Sequence, residues 1–282
     1  MNSDILVSAA RLNELIQSGA CTVVDCRFDF TFKGRGRQDW LAGHVPGAFY
    51  AHLDDDLAAP VTAGSGRHPL PETNDFAKFL ASIGWVDGKL LVAYDAGSNA
   101  ISSRLWWMMR YYGQPSALLD GGLAAWVKAG YALEAGETRT EAATPETLVP
   151  RQDLVVSTDT IYRNPGRSGL SVLDARAAER FSGEVENLDS KAGHIPGALN
   201  RPFDENLDDD GFFKSPENLR LQFEEILAGA AAADLVHSCG SGVTACHNLF
   251  AMELAGYGTT RLYPGSWSEW IRDEQRPIET GP

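Results

Sequence analysis

Cysteine is scarce in this chain: four in 282 residues, with no CxxC pair among them. So few exclude a disulfide framework, and Cys239, Cys246 and His247 lack the spacing of zinc ligands, so neither a metal nor a bound cofactor is expected. Long apolar runs are absent too. None reaches the about 18 residues that a membrane-crossing helix requires. The opening stretch, MNSDILVSAARLNELIQSGA, has neither a basic start nor a continuous apolar segment. It does not read as an export signal, and a cytoplasmic protein is expected. Positive charge is short. Lys and Arg number 24 against 38 Asp and Glu, a formal net charge of −14, which repels phosphate backbones and argues against nucleic acid as a partner. The rest is ordinary: 44% hydrophobic and 22% charged residues, the composition of a folded chain long enough for two domains.

What is present is a repeat. The segment AGHVPGA at 42–48 returns as AGHIPGA at 192–198. Ahead of each stands a β-like run with an Asp and an Arg, Val23-Val24-Asp25-Cys26-Arg27 and Val172-Leu173-Asp174-Ala175-Arg176. Farther on, Leu90–Asp95 matches Leu235–Cys239, and Asp120–Trp126 matches Pro264–Trp270. Four ordered matches at nearly constant offset make this a duplicated domain, 1–135 and 153–282. Residues 136–152 are Thr- and Glu-rich with two prolines, the composition of a linker.

Within each half, apolar runs alternate with helical stretches. Arg104–Tyr112 and Leu249–Leu254 read as apolar helices, each followed by a glycine at the C-cap position, Gly113 and Gly256. Strands alternating with helices imply right-handed crossovers. The expected fold is α/β, with each half a small, mostly parallel sheet carrying helices on both faces.

One loop carries chemistry. After the strand at Leu235–His237 the chain reads Ser238-Cys239-Gly240-Ser241-Gly242-Val243-Thr244-Ala245 and enters a helix. The glycines let successive N–H groups turn inward, and the helix dipole adds its positive end. Such a cradle stabilises a thiolate, making Cys239 a nucleophile. The matching loop of the first half begins with Asp95, so that half has no thiol there. Cys21, Cys26 and Cys246 read as packed residues, Trp106 and Trp107 as core, and Asp54–Asp56 and Asp208–Asp210 as solvated loops.

These motifs resemble the tandem-domain rhodanese superfamily, and within it the 3-mercaptopyruvate sulfurtransferases. The matching segments are Cys239–His247, the two GHxPGA motifs, Asp120-Gly121-Gly122 and Gly265–Trp270. The resemblance implies a two-step sulfur transfer. The Cys239 thiolate takes the outer sulfur of a donor and becomes a persulfide, held by the amides of Gly240, Ser241, Gly242, Val243 and Thr244. Cyanide, a small thiol or a thioredoxin-like acceptor then removes that sulfur. The resemblance also assigns proton transfer to Ser241 with His44, and donor-carboxylate binding to Arg180. Many members carry a second Arg nine residues after the first. Here that position is Asp189, and residues 185–191 hold no Arg, only Lys191.

Charge bears on the donor. Thiosulfate-type members carry Arg and Lys directly after the cysteine, where this chain has neutral Gly240 and Ser241. Mercaptopyruvate is therefore the expected donor and thiosulfate the alternative. A persulfide carrier serving a protein partner uses the same thiol. A phosphatase or arsenate reductase needs an Arg closing the loop to grip an oxyanion, and Ala245 stands there.

Overall fold

The structure is a computed structural model that describes residues 5–164 and 170–282, so the first four residues of the opening stretch lie outside the described residues. The chain forms two compact units, the first made of residues 1–59, 70–151 and 209–212, the second of 60–69, 152–208 and 213–282. Residues 60–69 thus precede the linker in sequence but pack with the second unit.

In the first unit the elements are β1 (Leu6–Val7), α1 (Ala9–Gln17), β2 (Cys21–Asp25), α2 (Arg35–Ala42), β3 (Phe49–Tyr50), α3 (Thr73–Ser82), β4 (Leu90–Tyr94), α4 (Ser102–Tyr111), β5 (Ser116–Leu119) and α5 (Gly122–Lys128). The sheet order is β1-β5-β4-β2-β3, and every pairing is parallel. All five residues of β2 are buried, which a strand achieves only when both sheet faces are covered. Ser8 starts α1 by accepting the Arg11 N–H at 3.2 Å, and its apolar face places Leu12 and Leu15 in the core. Trp106 and Trp107 of α4 are buried, and Gly113 follows that helix at φ +70°.

The second unit runs α6 (Thr158–Arg163), β6 (Ser171–Asp174), α7 (Ala178–Ser182), β7 (Leu199–Asn200), α8 (Pro216–Leu227), β8 (Leu235–Ser238), α9 (Ala245–Leu254), β9 (Arg261–Leu262) and α10 (Ser266–Trp270). Its sheet order is β7-β6-β8-β9, again parallel throughout. The core gathers Val172, Ile195, Val236, Tyr263, Trp267 and Trp270. No described helix is long and apolar enough to cross a membrane.

The repeated motifs build the same staple in both units. Arg27 pairs with Asp25 and donates to the Gly43 carbonyl at 2.7 Å; Arg176 pairs with Asp174 and donates to the Gly193 carbonyl at 2.9 Å. The acidic tripeptides are tied into the fold: Asp54 pairs with Lys33, Asp56 accepts the His52 N–H, and Asp210 pairs with Lys128.

His237 lies wholly inside β8, and burial pulls its pKa down from 6.5 to about 3. The folded chain keeps it neutral, whereas the unfolded chain protonates it below 6.5. Its contribution to stability is therefore complete above about pH 6.5 and is lost as pH falls toward 3, by about 1.4 kcal/mol per pH unit at most. Urea unfolding at pH 7.5 and pH 5 should show a steeper loss for wild type than for His237→Gln. Parallel losses would rule His237 out as the source.

Candidate active site

The second unit assembles its site at the C-terminal end of its central strand, where ligands bind in open parallel sheets. β8 delivers Cys239, and the chain turns through Gly240–Thr244 into α9. Gly242 stands at φ +75°, and a Cβ there would strike the Pro264 backbone, so the turn needs glycine. Cys239 is only 2% exposed, and its Sγ accepts N–H bonds from Ser241 at 3.4 Å and Gly242 at 3.2 Å. Val243 is buried, and Thr244 occupies the N-cap position of α9.

α10 anchors the loop from behind. Trp267 N–H donates to the Cys239 carbonyl and Ser268 N–H to the Gly240 carbonyl, both at 2.9 Å, while Cys239 N–H donates to Ser266 Oγ at 3.1 Å. Every backbone group that α10 holds is one that does not face the sulfur. The inward amides are left to point at Sγ. Cys246 touches the loop's far side, its thiol donating to the Gly242 carbonyl at 3.4 Å.

Ser241 Oγ lies 2.7 Å from Nδ1 of His68, and both residues are buried. His44 is not its partner. Its Nδ1 bonds the Trp40 carbonyl at 2.7 Å, its Nε2 bonds Thr138 Oγ1 at 3.1 Å, and its ring stacks on Trp40. His194 repeats this in the second unit, bonding the Phe181 carbonyl at 2.8 Å and stacking on Phe181. The two motif histidines are staples: Nδ1 of each bonds a carbonyl of the helix that precedes its own turn, and Nε2 of His44 reaches across to Thr138. The expectation for His44 is corrected accordingly: the imidazole beside Ser241 is His68, on the arm 60–69. No pattern in the sequence singles out His68, which stands outside the repeated motif within Gly66-Arg67-His68-Pro69.

Two guanidinium groups stand beside Gly240. A Cβ on Gly240 would lie 2.8 Å from Arg67 Nη2, 3.7 Å from Arg180 Nη1 and 3.8 Å from Arg180 Nη2. The loop itself carries no cation, so the site's positive charge comes from α7 and the arm. Arg180 Nη2 pairs with Glu186 at 2.8 Å and Asp189 at 3.1 Å, and Arg67 Nη1 pairs with the other Asp189 oxygen. Burial pulls the Arg67 pKa down, while the adjacent Cys239 pushes it back up. Three cations, Arg67, Arg176 and Arg180, thus meet three carboxylates, Asp174, Glu186 and Asp189.

The matching loop of the first unit is filled from within. The Asp95 carboxylate accepts N–H bonds from Gly97 at 3.1 Å, Asn99 at 2.8 Å, Ile101 at 2.9 Å and Ser102 at 3.4 Å. Burial raises its pKa and these amides lower it. Loop amides thus face a sulfur in one unit and an internal carboxylate in the other, and only the position two residues on, Ser241 and Gly97, serves in both.

A strand-end cysteine in an amide cradle, on a duplicated parallel α/β unit, defines the class. The model of the Rhodanese-like domain matches residues 8–129 and again 157–273. The chain belongs to the rhodanese-like domain family, as a two-domain sulfurtransferase. It is 44% identical to the "Probable 3-mercaptopyruvate sulfurtransferase" of Pseudomonas aeruginosa, over 100% of both chains. It is 31% identical to the thiosulfate sulfurtransferase of Bos taurus, over 98% of this chain and 94% of that one. Among solved structures, the 3-mercaptopyruvate sulfurtransferase from Leishmania major superposes with a TM-score of 0.84 at 30% identity, covering 95% of this chain and 74% of that one.

Proposed function

We propose that Cys239 carries sulfane sulfur from 3-mercaptopyruvate to a thiol, cyanide or thioredoxin-like acceptor. The observation that supports this most is the thiol seated against two inward amides, with the Ser241–His68 pair and two guanidinium groups beside it. The Cys239 thiolate attacks the donor sulfur, and a new S–S bond forms. The donor's C–S bond breaks, its electron pair passes into the adjacent ketone as the pyruvate enolate, and that carbon takes a proton to become pyruvate. The persulfide remains under the Ser241 and Gly242 amides. An acceptor thiolate or cyanide then attacks the outer sulfur and frees the Cys239 thiolate, a ping-pong cycle.

His68 and Ser241 form the relay that moves the proton, and Arg180 binds the donor carboxylate. The equal count of cations and carboxylates around the loop suits a monoanionic donor better than dianionic thiosulfate. The first unit takes no sulfur, because Asp95 occupies the cysteine's place. A reducing compartment, the cytoplasm, suits a chemistry that needs free thiols, and all four cysteines are free.

Steady-state kinetics test the donor. The kcat/KM for mercaptopyruvate should exceed that for thiosulfate by about tenfold or more, and Arg180→Met should raise the mercaptopyruvate KM by about tenfold. Thiosulfate as the better donor of the wild type would reverse the assignment.

A further inference from the structure

The turns behind the two loops match in their backbones and differ in one side chain. α5 begins with Gly122 at φ +55°, and α10 begins with Ser266 at φ +53°. In the first unit Leu123 N–H donates to the Asp95 carbonyl at 2.9 Å and Ala124 N–H to the Ala96 carbonyl at 3.1 Å. These are the counterparts of the Trp267 and Ser268 bonds to Cys239 and Gly240. The left-handed conformation is natural for Gly122 and strained for a serine. A Cβ on Gly122 would meet the Asp95 carbonyl oxygen at 2.7 Å and the Gly97 nitrogen at 2.9 Å, so the first unit needs glycine there. The second unit carries a side chain in a conformation that disfavours one.

Glycine would leave both backbone bonds in place, so what the serine adds is its hydroxyl. Ser266 is wholly buried. Its Oγ donates to the Tyr263 carbonyl at 3.0 Å and accepts the Cys239 N–H at 3.1 Å. The proton is spent on Tyr263, so the hydroxyl offers none to the sulfur or to a leaving group. Its other partner is the nucleophile's own backbone. Three consecutive residues, Ser266, Trp267 and Ser268, thus hold the Cys239 N–H, the Cys239 carbonyl and the Gly240 carbonyl. The peptide groups on both sides of the Cys239 Cα are fixed, and with them the direction of its Cα–Cβ bond. That direction seats Sγ against the Ser241 and Gly242 amides, at 3.4 and 3.2 Å. Stabilisation of a thiolate by such dipoles depends on their aim.

We propose that Ser266 is a positioning residue for sulfur transfer: its hydroxyl, kept at a strained backbone position, clamps the Cys239 N–H and so holds Sγ in line with the two amides that stabilise it. This deepens the reading of Cys239 as the sulfur carrier and rests on it. Ser266 acts through Cys239 and touches no substrate. The hydroxyl accompanies the sulfur: the unit with a cysteine has Ser266, and the unit with Asp95 has Gly122.

The test compares the full-length wild type with Ser266→Gly, which removes both hydroxyl and strain, and Ser266→Ala, which removes the hydroxyl alone. It follows alkylation of Cys239 by iodoacetamide from pH 6 to 10 through the mass of its peptide, mercaptopyruvate kcat and KM, and the melting temperature. In both variants alkylation at pH 7 should slow by about tenfold and approach the wild-type rate near pH 10, where a thiol ionises unaided. The kcat should fall by about as much, with a much smaller change in KM. Ser266→Gly should melt above Ser266→Ala, because only glycine is at ease at that φ. Equal losses of reactivity at unequal stability assign the effect to the hydroxyl. Wild-type alkylation and kcat in both variants would overturn the proposal. So would losses confined to the variant that melts lower, or alkylation slowed equally at every pH. The predicted alkylation profile in an enzyme that takes no sulfur from mercaptopyruvate would uphold the clamp while the donor reading fell.

Discussion

Cys239→Ser should abolish sulfur transfer from mercaptopyruvate and from thiosulfate alike, lowering turnover by about 10⁴-fold or more. The substitution is close to isosteric in a buried position that α10 holds through backbone bonds, so the loop keeps its shape. What is lost is the atom. A serine hydroxyl stays protonated near neutral pH and cannot carry a second sulfur. Cys246→Ser provides the contrast. Its thiol faces the Gly242 carbonyl on the other side of the loop, and a hydroxyl can make the same bond, so most activity should remain. Assays of the two variants side by side separate loss of the nucleophile from damage to the turn. Equal losses would point to the fold and not to the sulfur.

His68→Ala should lower kcat with mercaptopyruvate by about 10²- to 10⁴-fold, the usual span for a positioned acid–base group. The reason lies in the leaving group. Breaking the C–S bond of mercaptopyruvate leaves an enolate that must be protonated, and Ser241 Oγ at 2.7 Å from His68 Nδ1 offers the route. Thiosulfate leaves as sulfite, which is stable as an anion and needs no proton. The same variant should therefore lose far less with thiosulfate, and the ratio of donors should move toward thiosulfate. His44→Asn, which removes a turn staple, should lower thermal stability and leave that ratio alone. A His68→Ala enzyme equally impaired with both donors would assign His68 to holding Ser241 in place and not to moving a proton.

Much of the fold was legible because it repeats. Parallel α/β units follow from apolar runs such as Leu90–Ala93 alternating with apolar helices, and Gly113 and Gly256 stand where the helices α4 and α9 end. Cys239 was legible because thiol, glycine turn and helix start are contiguous in sequence. His68 and Arg67 were not. They act on the Cys239 loop from more than 170 residues away along the chain, on an arm that packs with the second unit, and no local pattern reports such a contact. His44 took its expected role from the resemblance alone, although its motif repeats and repetition is the mark of shared scaffold: the matching bonds of His44 and His194 serve the turn in each unit. The loop's own residues do not report the cations beside Gly240, which arrive from α7 and the arm.

The central claim is that sulfur rests on Cys239 between the two half-reactions. Intact-protein mass spectrometry after brief incubation with mercaptopyruvate, and separately with thiosulfate, reads it directly. Wild type should gain about 32 Da, one sulfur atom on the nucleophile. The gain should be faster with mercaptopyruvate, absent in Cys239→Ala, and reversed by adding cyanide. A wild-type enzyme that gains no mass from either donor, or a Cys239→Ala variant that gains it still, would contradict the account.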